Sequence, residues 1–217
     1  MKNLDNVTLV CIDTKNRIES LSVMKKMSRL MKFHKSLYFT NCIDKQKDIE
    51  VVEIDDIKGI RGDGSYSHFC VKELPKYIET DFCLVVQHDG FILNPDKWTD
   101  EFLNYDYIGA AWPDGYYVNR VGNGGFSLRS KKFLDAGLDI FEKESIMENE
   151  DLLICVTRYE DFIKRGIQYA PVDLAVQFSI EDMIPEIKTM DTFGFHGTST
   201  PIAIKSRQDN INNLLLD

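Results

Sequence analysis

Positive charge is scarce in this chain. Lys and Arg number 26 against 35 Asp and Glu, for a formal net charge of −9 and a pI near 5.0. A surface that reads DNA or RNA needs a basic face to displace counterions, so nucleic acid is not an expected partner. A small basic pocket for a single diphosphate stays compatible with this balance. Long hydrophobic runs are also missing. No apolar stretch approaches the roughly 20 residues that span a bilayer, and the opening MKNLDNVTLVCID lacks a signal-peptide layout. Cysteine is sparse and scattered: Cys11, Cys42, Cys70, Cys83 and Cys155 are odd in number and form no C-x-x-C. They read as small core residues in a reducing cytoplasm, with neither a disulfide framework nor a zinc site expected. Internal repeats, linkers and low-complexity tracts are absent. No G-x-G-x-x-G follows the first apolar run, where Asp13-Thr14-Lys15-Asn16-Arg17 stands instead, which argues against a doubly wound NAD enzyme.

What is present suits one globular domain over residues 1–217, with 43% hydrophobic and 28% charged residues, enough for a full core. Val7–Ile12 reads as a first strand and Ile18–Met31 as a helix, its methionines at spacings of three and four serving as packing. Ser36–Thr40 and Ile49–Ile54 read as further strands. Ile60–Ser67 is expected to be a loop, and His68–Ile78 helical until Pro75 tightens it. Phe82–Val86 is an unbroken apolar run, the pattern of a strand buried on both faces. Pro95–Leu103 fits a helix capped by Asn94, Tyr105–Trp112 another strand, Ser130–Ala136 a helix ended by Gly137, and Leu152–Ile163 an apolar helix. The alternation points to an α/β layered sheet.

Polar residues gather at the ends of apolar segments. The clearest set is Gln87-His88-Asp89-Gly90, directly after Phe82–Val86, where ligands sit beyond the carboxyl ends of sheet strands. Asp-Gly between apolar runs is also a tight-turn signal, and the two readings are compatible. The loop after strand one, the pair Glu150-Asp151, and His196 share the same placement. One imidazole among carboxylates suits Mn²⁺ better than Mg²⁺.

In that order of features the chain resembles GT-A-type glycosyltransferases that use nucleotide-sugar donors. The resemblance rests on an apolar strand ending in a D-x-D-like motif, GNGGFSLRS (residues 122–130), a Glu-Asp pair opening a helix, and a late histidine in FGFHG (residues 193–197). It is closest to a bacterial and viral branch whose motif reads Q-x-D-G, and it also takes in YDYIGAAW (residues 105–112). It covers Val7 to Gly197.

The resemblance implies a single GT-A-like, Rossmann-related domain with a central, mainly parallel sheet flanked by helices. Its nucleotide-binding half would be about 1–94, its acceptor and catalytic half about 95–205, and its tail 206–217. It implies a metal-dependent enzyme that moves a sugar from a nucleoside-diphosphate donor, UDP by likeness, to a glycan or other hydroxyl acceptor. Asp89 and His196 would hold the metal; Asp13, Thr14 and Arg17 would meet the nucleotide. Gln87 and His88 would also face the donor, Gln87 either as a weak ligand or at the ribose. Asn123, Gly124 and Gly125 would line the sugar and acceptor side, with Trp112 as a stacking platform or core residue. Arg129 would pair with Glu150 or Asp151 or contact phosphate.

Glu150 or Asp151 would deprotonate the acceptor in an inverting displacement. The two point about 100° apart on a helix, and Asp151, one turn before Cys155, is the one expected at the crevice and partly desolvated. A retaining enzyme and a non-catalytic sugar-binding relative are the alternatives.

Overall fold

The computed structural model describes residues 2–42, 45–57, 64–189 and 191–197. β1 (Lys2–Ile12) leads through α1 (Arg17–Leu30) to β2 (Met31–Thr40) and β3 (Glu50–Glu53). A short α2 (Ser65–His68) opens into a wide π-helical turn, Phe69–Glu73, and a tight 3₁₀ turn, Leu74–Tyr77, before β4 (Phe82–Val86). Pro75, in the first turn of that tight segment, cannot donate to the ladder, so the helix narrows there.

The main sheet runs β3-β2-β1-β4 and continues into β7 (Ser127–Ser130) and β6 (Tyr107–Ile108). The first four strands are mutually parallel; β7 is antiparallel to both β4 and β6. Both faces are covered, which is why the central strands read as continuous apolar runs rather than alternating ones. Leu9 and Cys11 of β1 and Leu84 and Val86 of β4 pack on the side of α1, with Val23, Met24 and Met27. Val10, Ile12, Cys83 and Val85 pack on the other side, against Val71, Phe133 and Phe162. The expected α/β fold with a mainly parallel sheet is therefore present. No helix among the described residues is long and apolar enough to cross a membrane.

A second, smaller sheet carries the site. β5 (Gly90–Ile92) pairs antiparallel with β9 (Gly194–His196), which pairs parallel with β8 (Ser179–Ile180). The register sets Gly90 opposite His196.

Several expected elements differ. Pro95–Leu103 is two 3₁₀ turns, Pro95–Lys97 and Asp100–Asn104, because the Asn94 amide donates to the Thr192 carbonyl (2.8 Å) instead of capping. Thr99 caps the second turn. α3 (Lys131–Ile140) runs past Gly137, which lies within it; Ser130 is its N-cap, accepting from the Phe133 N–H (2.9 Å). Strand geometry in Tyr105–Trp112 is limited to Tyr107–Ile108, and Ala111 forms a single bridge to Val121. The helix expected over Leu152–Ile163 starts two residues earlier and is broken: α4 (Glu150–Leu152), a π-helical turn at Leu153–Thr157, then α5 (Tyr159–Lys164). α6 (Val172–Phe178) follows. Ser65–Ser67 is helical rather than loop, while residues 60–63 and the tail 206–217 lie outside the described residues.

Candidate active site

β1 connects to β2 on one side and pairs with β4 on the other, so the two strands flank a topological switch point, the usual crevice for ligands in open α/β sheets. Asp13 follows β1, and Gln87 to Asp89 follow β4. The Gln87–Gly90 segment is a tight turn closed by Gln87 N–H to Gly90 O (3.2 Å) and Gly90 N–H to Gln87 O (3.1 Å). The chain does not return along β4, however; from Gly90 it crosses into the second sheet, and that crossing delivers Asp89 to His196.

The Asp89 Oδ1 atom lies 3.5 Å from His196 Nε2, is buried, and has no hydrogen-bond partner. Burial pushes the Asp89 carboxyl up, but His196 and His88 (Nδ1 3.8 Å from Oδ1) more than offset it and leave it below its ordinary value. Burial works against charge on His196 too, and there the carboxylates of Asp89 and Glu181 win, raising it to about 9. Glu181 Oε1 stands 3.2 Å from His196 Nδ1, and Asn123 Nδ2 2.9 Å from the same atom.

The ring is held flat against main chain. A Cβ at Gly125 would lie 2.0 Å from Nε2 and one at Gly90 2.8 Å from Cδ2, so neither position tolerates a side chain while the imidazole stays.

Gln87 is buried and bridges the core to the His196 ring. Its Nε2 donates to the buried Tyr66 hydroxyl (2.8 Å) and its Oε1 lies 3.2 Å from His196 Nε2. The amide thus donates with one end and offers an acceptor with the other.

Asn123, Gly124 and Gly125 also sit behind the site instead of lining an open sugar pocket. Asn123 has φ 60 and accepts from the Tyr107 hydroxyl (3.2 Å), while Gly124 makes room for Glu150, whose Oε2 a Cβ there would meet at 2.1 Å.

Glu150 and Asp151 divide as two consecutive helical residues must. Glu150 is 3% exposed and its Oε1 lies 2.5 Å from Nη2 of Arg129, itself 1% exposed; of the options open for Arg129, it takes this pair. Burial opposes the guanidinium charge, and Glu150 more than offsets that, so Arg129 stays charged. Asp151 faces the cleft, raised by burial and by the Glu181 charge, with Leu152 N–H on its Oδ1 (2.8 Å) opposing the rise. The reason expected for its placement is corrected: the core-facing acid of the two is Glu150, and Asp151 reaches the cleft because it is rotated off that face.

On the nucleotide side, Asp13 accepts the N–H groups of Lys15 (2.7 Å) and Asn16 (2.8 Å) and the Ser20 hydroxyl (2.8 Å), with His88 Nδ1 at 3.6 Å. Burial is outweighed by these partners, and its carboxyl falls to about 2. His88 thus lies between two acids at the edge of the crevice. Thr14 is buried and occupied, donating to Asp56 (2.8 Å) and accepting from Ile57 N–H (3.0 Å), so it holds the chain after β3 instead of facing a ligand. Arg17 lines a separate 170 Å³ pocket with Tyr38, Thr40 and Cys42.

The cleft beyond Asp89 and His196 has a volume of about 590 Å³ and is lined by Asp151, Glu181, Asp182 and an aromatic wall of Trp112, Tyr116 and Tyr117. Trp112 is mostly packing: it lies over Gly122, where a Cβ would meet its ring at 1.9 Å, and Tyr117 covers it (centroids 5.0 Å). Glu181 and Asp182 were not singled out in the sequence, because the β8 strand they follow is only Ser179–Ile180 and leaves no apolar run like the one before Asp89. Among the described residues, no group of three or more His, Cys, Asp or Glu side chains is gathered as a self-sufficient metal site.

Fold and crevice together define a protein with a glycosyltransferase-like fold. It is similar to a glycosyltransferase involved in glycosylating the major capsid of PBCV-1, at 15% identity over 94% of this chain and 98% of that one, TM-score 0.54. It is similar to the galactosyltransferase LgtC in complex with donor and acceptor sugar analogs, at 13% identity over 94% and 95%, TM-score 0.54. It also spans 52% of the bifunctional IspDF of Campylobacter jejuni (12% identity, 86% of this chain), where the TM-score of 0.49 carries no argument. At these identities the likeness is one of fold. Over residues 48–196 the chain matches the family described as protein of unknown function (DUF5672), and it belongs to that family. No curated protein matches it in sequence.

Proposed function

We propose that the chain is a metal-dependent glycosyltransferase that moves a sugar from a nucleoside-diphosphate donor to a hydroxyl acceptor with inversion. The carrying observation is Asp89 Oδ1, a buried carboxylate oxygen without a hydrogen bond, set 3.5 Å from an imidazole nitrogen at the mouth of a carboxylate-lined cleft. Its neighbours are the imidazoles of His196 (3.5 Å) and His88 (3.8 Å), neither in hydrogen-bond geometry, and a hard or borderline divalent cation is a closer partner that suits a carboxylate oxygen. Asp89 and His196 would hold Mn²⁺ or Mg²⁺, with donor phosphate oxygens completing a set that these two residues begin. When bound, the ion supplies Lewis-acid stabilisation of the charge on the departing diphosphate.

The chain's own residues do the rest. His196 would hold the ion through a neutral ring nitrogen, and Glu181 (3.2 Å) and Asn123 (2.9 Å) at Nδ1 would orient the ring. UDP is the proposed nucleotide, placed along the crevice from the Arg17 pocket past Asp13 and His88 to Asp89. Asp151 takes the acceptor's proton as the acceptor oxygen bonds to the anomeric carbon, while that carbon's bond to the phosphate oxygen breaks and nucleoside diphosphate leaves. A carboxylate raised by burial is the better base for this step. Glu150, occupied by Arg129, takes no proton. Titration of UDP with and without Mn²⁺ tests the reading: binding that needs the ion supports it, and ion-independent or absent binding contradicts it.

A further inference from the structure

The loop between Trp112 and Val121 combines a firm base with an exposed apolar tip. At the base, Trp112 N–H donates to Arg120 O (2.7 Å), Ala111 bridges Val121, and Arg120 Nε donates back to Trp112 O (3.1 Å). Arg120 Nη1 also binds Glu186 (2.7 Å), and the buried Asn119 amide bonds Val121 O (2.7 Å) and Cys155 O (3.1 Å). Gly115, at φ +83, turns the tip. There Tyr116 is 75% exposed, Tyr117 37% and Val118 87%. Tyr117 leans on Trp112 and Tyr116 on Tyr117 (centroids 6.5 Å), so the rings climb in steps from the core to the cleft mouth. Beyond the Tyr117 ring that covers Trp112, the exposed aromatic and apolar surface held out by this stapled loop packs on no core residue and marks a contact site.

Charge says what the contact is. The same cleft is lined by Asp151, Glu181 and Asp182, together with Asn149, and apart from His196, which Asp89 and Glu181 neutralise, its lining includes no cationic side chain. Carboxylates and an amide accept hydrogen bonds from hydroxyls and repel anions, whereas an aromatic face takes the C–H face of a pyranose.

We propose that Tyr116 and Tyr117 form the acceptor platform and that the acceptor is a neutral saccharide, not an acidic glycan, phosphate ester or anionic lipid. This rests on the glycosyltransferase reading and narrows its acceptor.

The test measures binding of the Mn²⁺–UDP-loaded protein to an array of immobilised neutral oligosaccharides and their uronate- or sulfate-bearing counterparts. Wild type is expected to retain neutral glycans and to bind the acidic ones at least tenfold more weakly. Tyr116→Ala/Tyr117→Ala is expected to lose neutral-glycan binding by tenfold or more, and Tyr116→Phe/Tyr117→Phe to keep it, since the rings remain. Calorimetry of Mn²⁺–UDP binding runs alongside and should be unchanged in both variants. Unchanged glycan binding in the alanine variant, a preference for acidic glycans, or no glycan bound by wild type overturns the proposal. Absence of Mn²⁺–UDP binding to wild type instead marks failure of the underlying reading.

Discussion

Two neighbouring carboxylates with opposite surroundings carry the most direct residue-level predictions. Asp151→Asn removes the proposed base and should lower kcat by about a hundred- to ten-thousand-fold, with nucleotide affinity nearly unchanged. Glu150→Gln should act on folding instead, because it leaves the fully buried Arg129 without its counter-charge, a change that costs about 3–5 kcal/mol. Thermal unfolding and single-turnover kinetics on both variants separate the roles; loss of turnover in a stable Glu150→Gln with normal Asp151→Asn would reverse them. His196 gives a pH signature in the metal-free protein. Its folded value, raised to about 9 from 6.5, means that protonated His196 stabilises the fold fully below about pH 6.5. That contribution, of order 3 kcal/mol at most, is lost as pH rises through 9. Urea unfolding across this range should show the decline in wild type and a flatter profile in His196→Gln; equal slopes would contradict it.

At the scale of elements, the glycines of GNGG act as spacers that bring one piece of chain against another's side chain. Gly125→Ala should displace the His196 ring and weaken Mn²⁺-dependent UDP binding by tenfold or more, about 1.4 kcal/mol. Gly137→Ala is the contrast: its Cβ would meet Val71 and Phe162 at ordinary distances of 3.7 and 3.8 Å, inside α3, and should raise stability by about 0.5–1 kcal/mol. Calorimetric titration and melting curves read the two effects, and a normal titration for Gly125→Ala would show that the ring has room to move.

These elements also show where the sequence was informative. The apolar run of β4, the later halves of β1 and β2 and the methionine spacing of α1 announced themselves, since a strand buried on two faces and a helix buried on one leave plain patterns; the more polar starts of β1 and β2, residues 2–6 and 31–35, did not. Helix ends were less legible. Gly137 looks like a stop until Ile140 is seen continuing the buried face, and Asn94 looks like a cap until Thr192, remote in sequence, claims its amide. Asp89 and His196 were legible as strand-end polar residues. The inward turn of Gln87 was not, because its partner Tyr66 lies in a segment with loop-like composition.

Across the whole molecule, one edge of the sheet orders the chemistry: the Arg17 pocket, then Asp13 and His88, then Asp89 with His196, then the carboxylate cleft beneath its tyrosine loop. Acidic lining at the cleft repels a bare diphosphate, so in this account nucleotide binding depends on a cation at Asp89 and His196. The most direct measurement is calorimetric titration of UDP into wild type, Asp89→Ala and His196→Ala, each with Mn²⁺ and with chelator, with folding checked by thermal melts. The account predicts binding to wild type only with Mn²⁺, and its loss in Asp89→Ala and weakening by tenfold or more in His196→Ala while both variants stay folded. UDP bound equally well by folded Asp89→Ala, or by wild type in chelator, would contradict it.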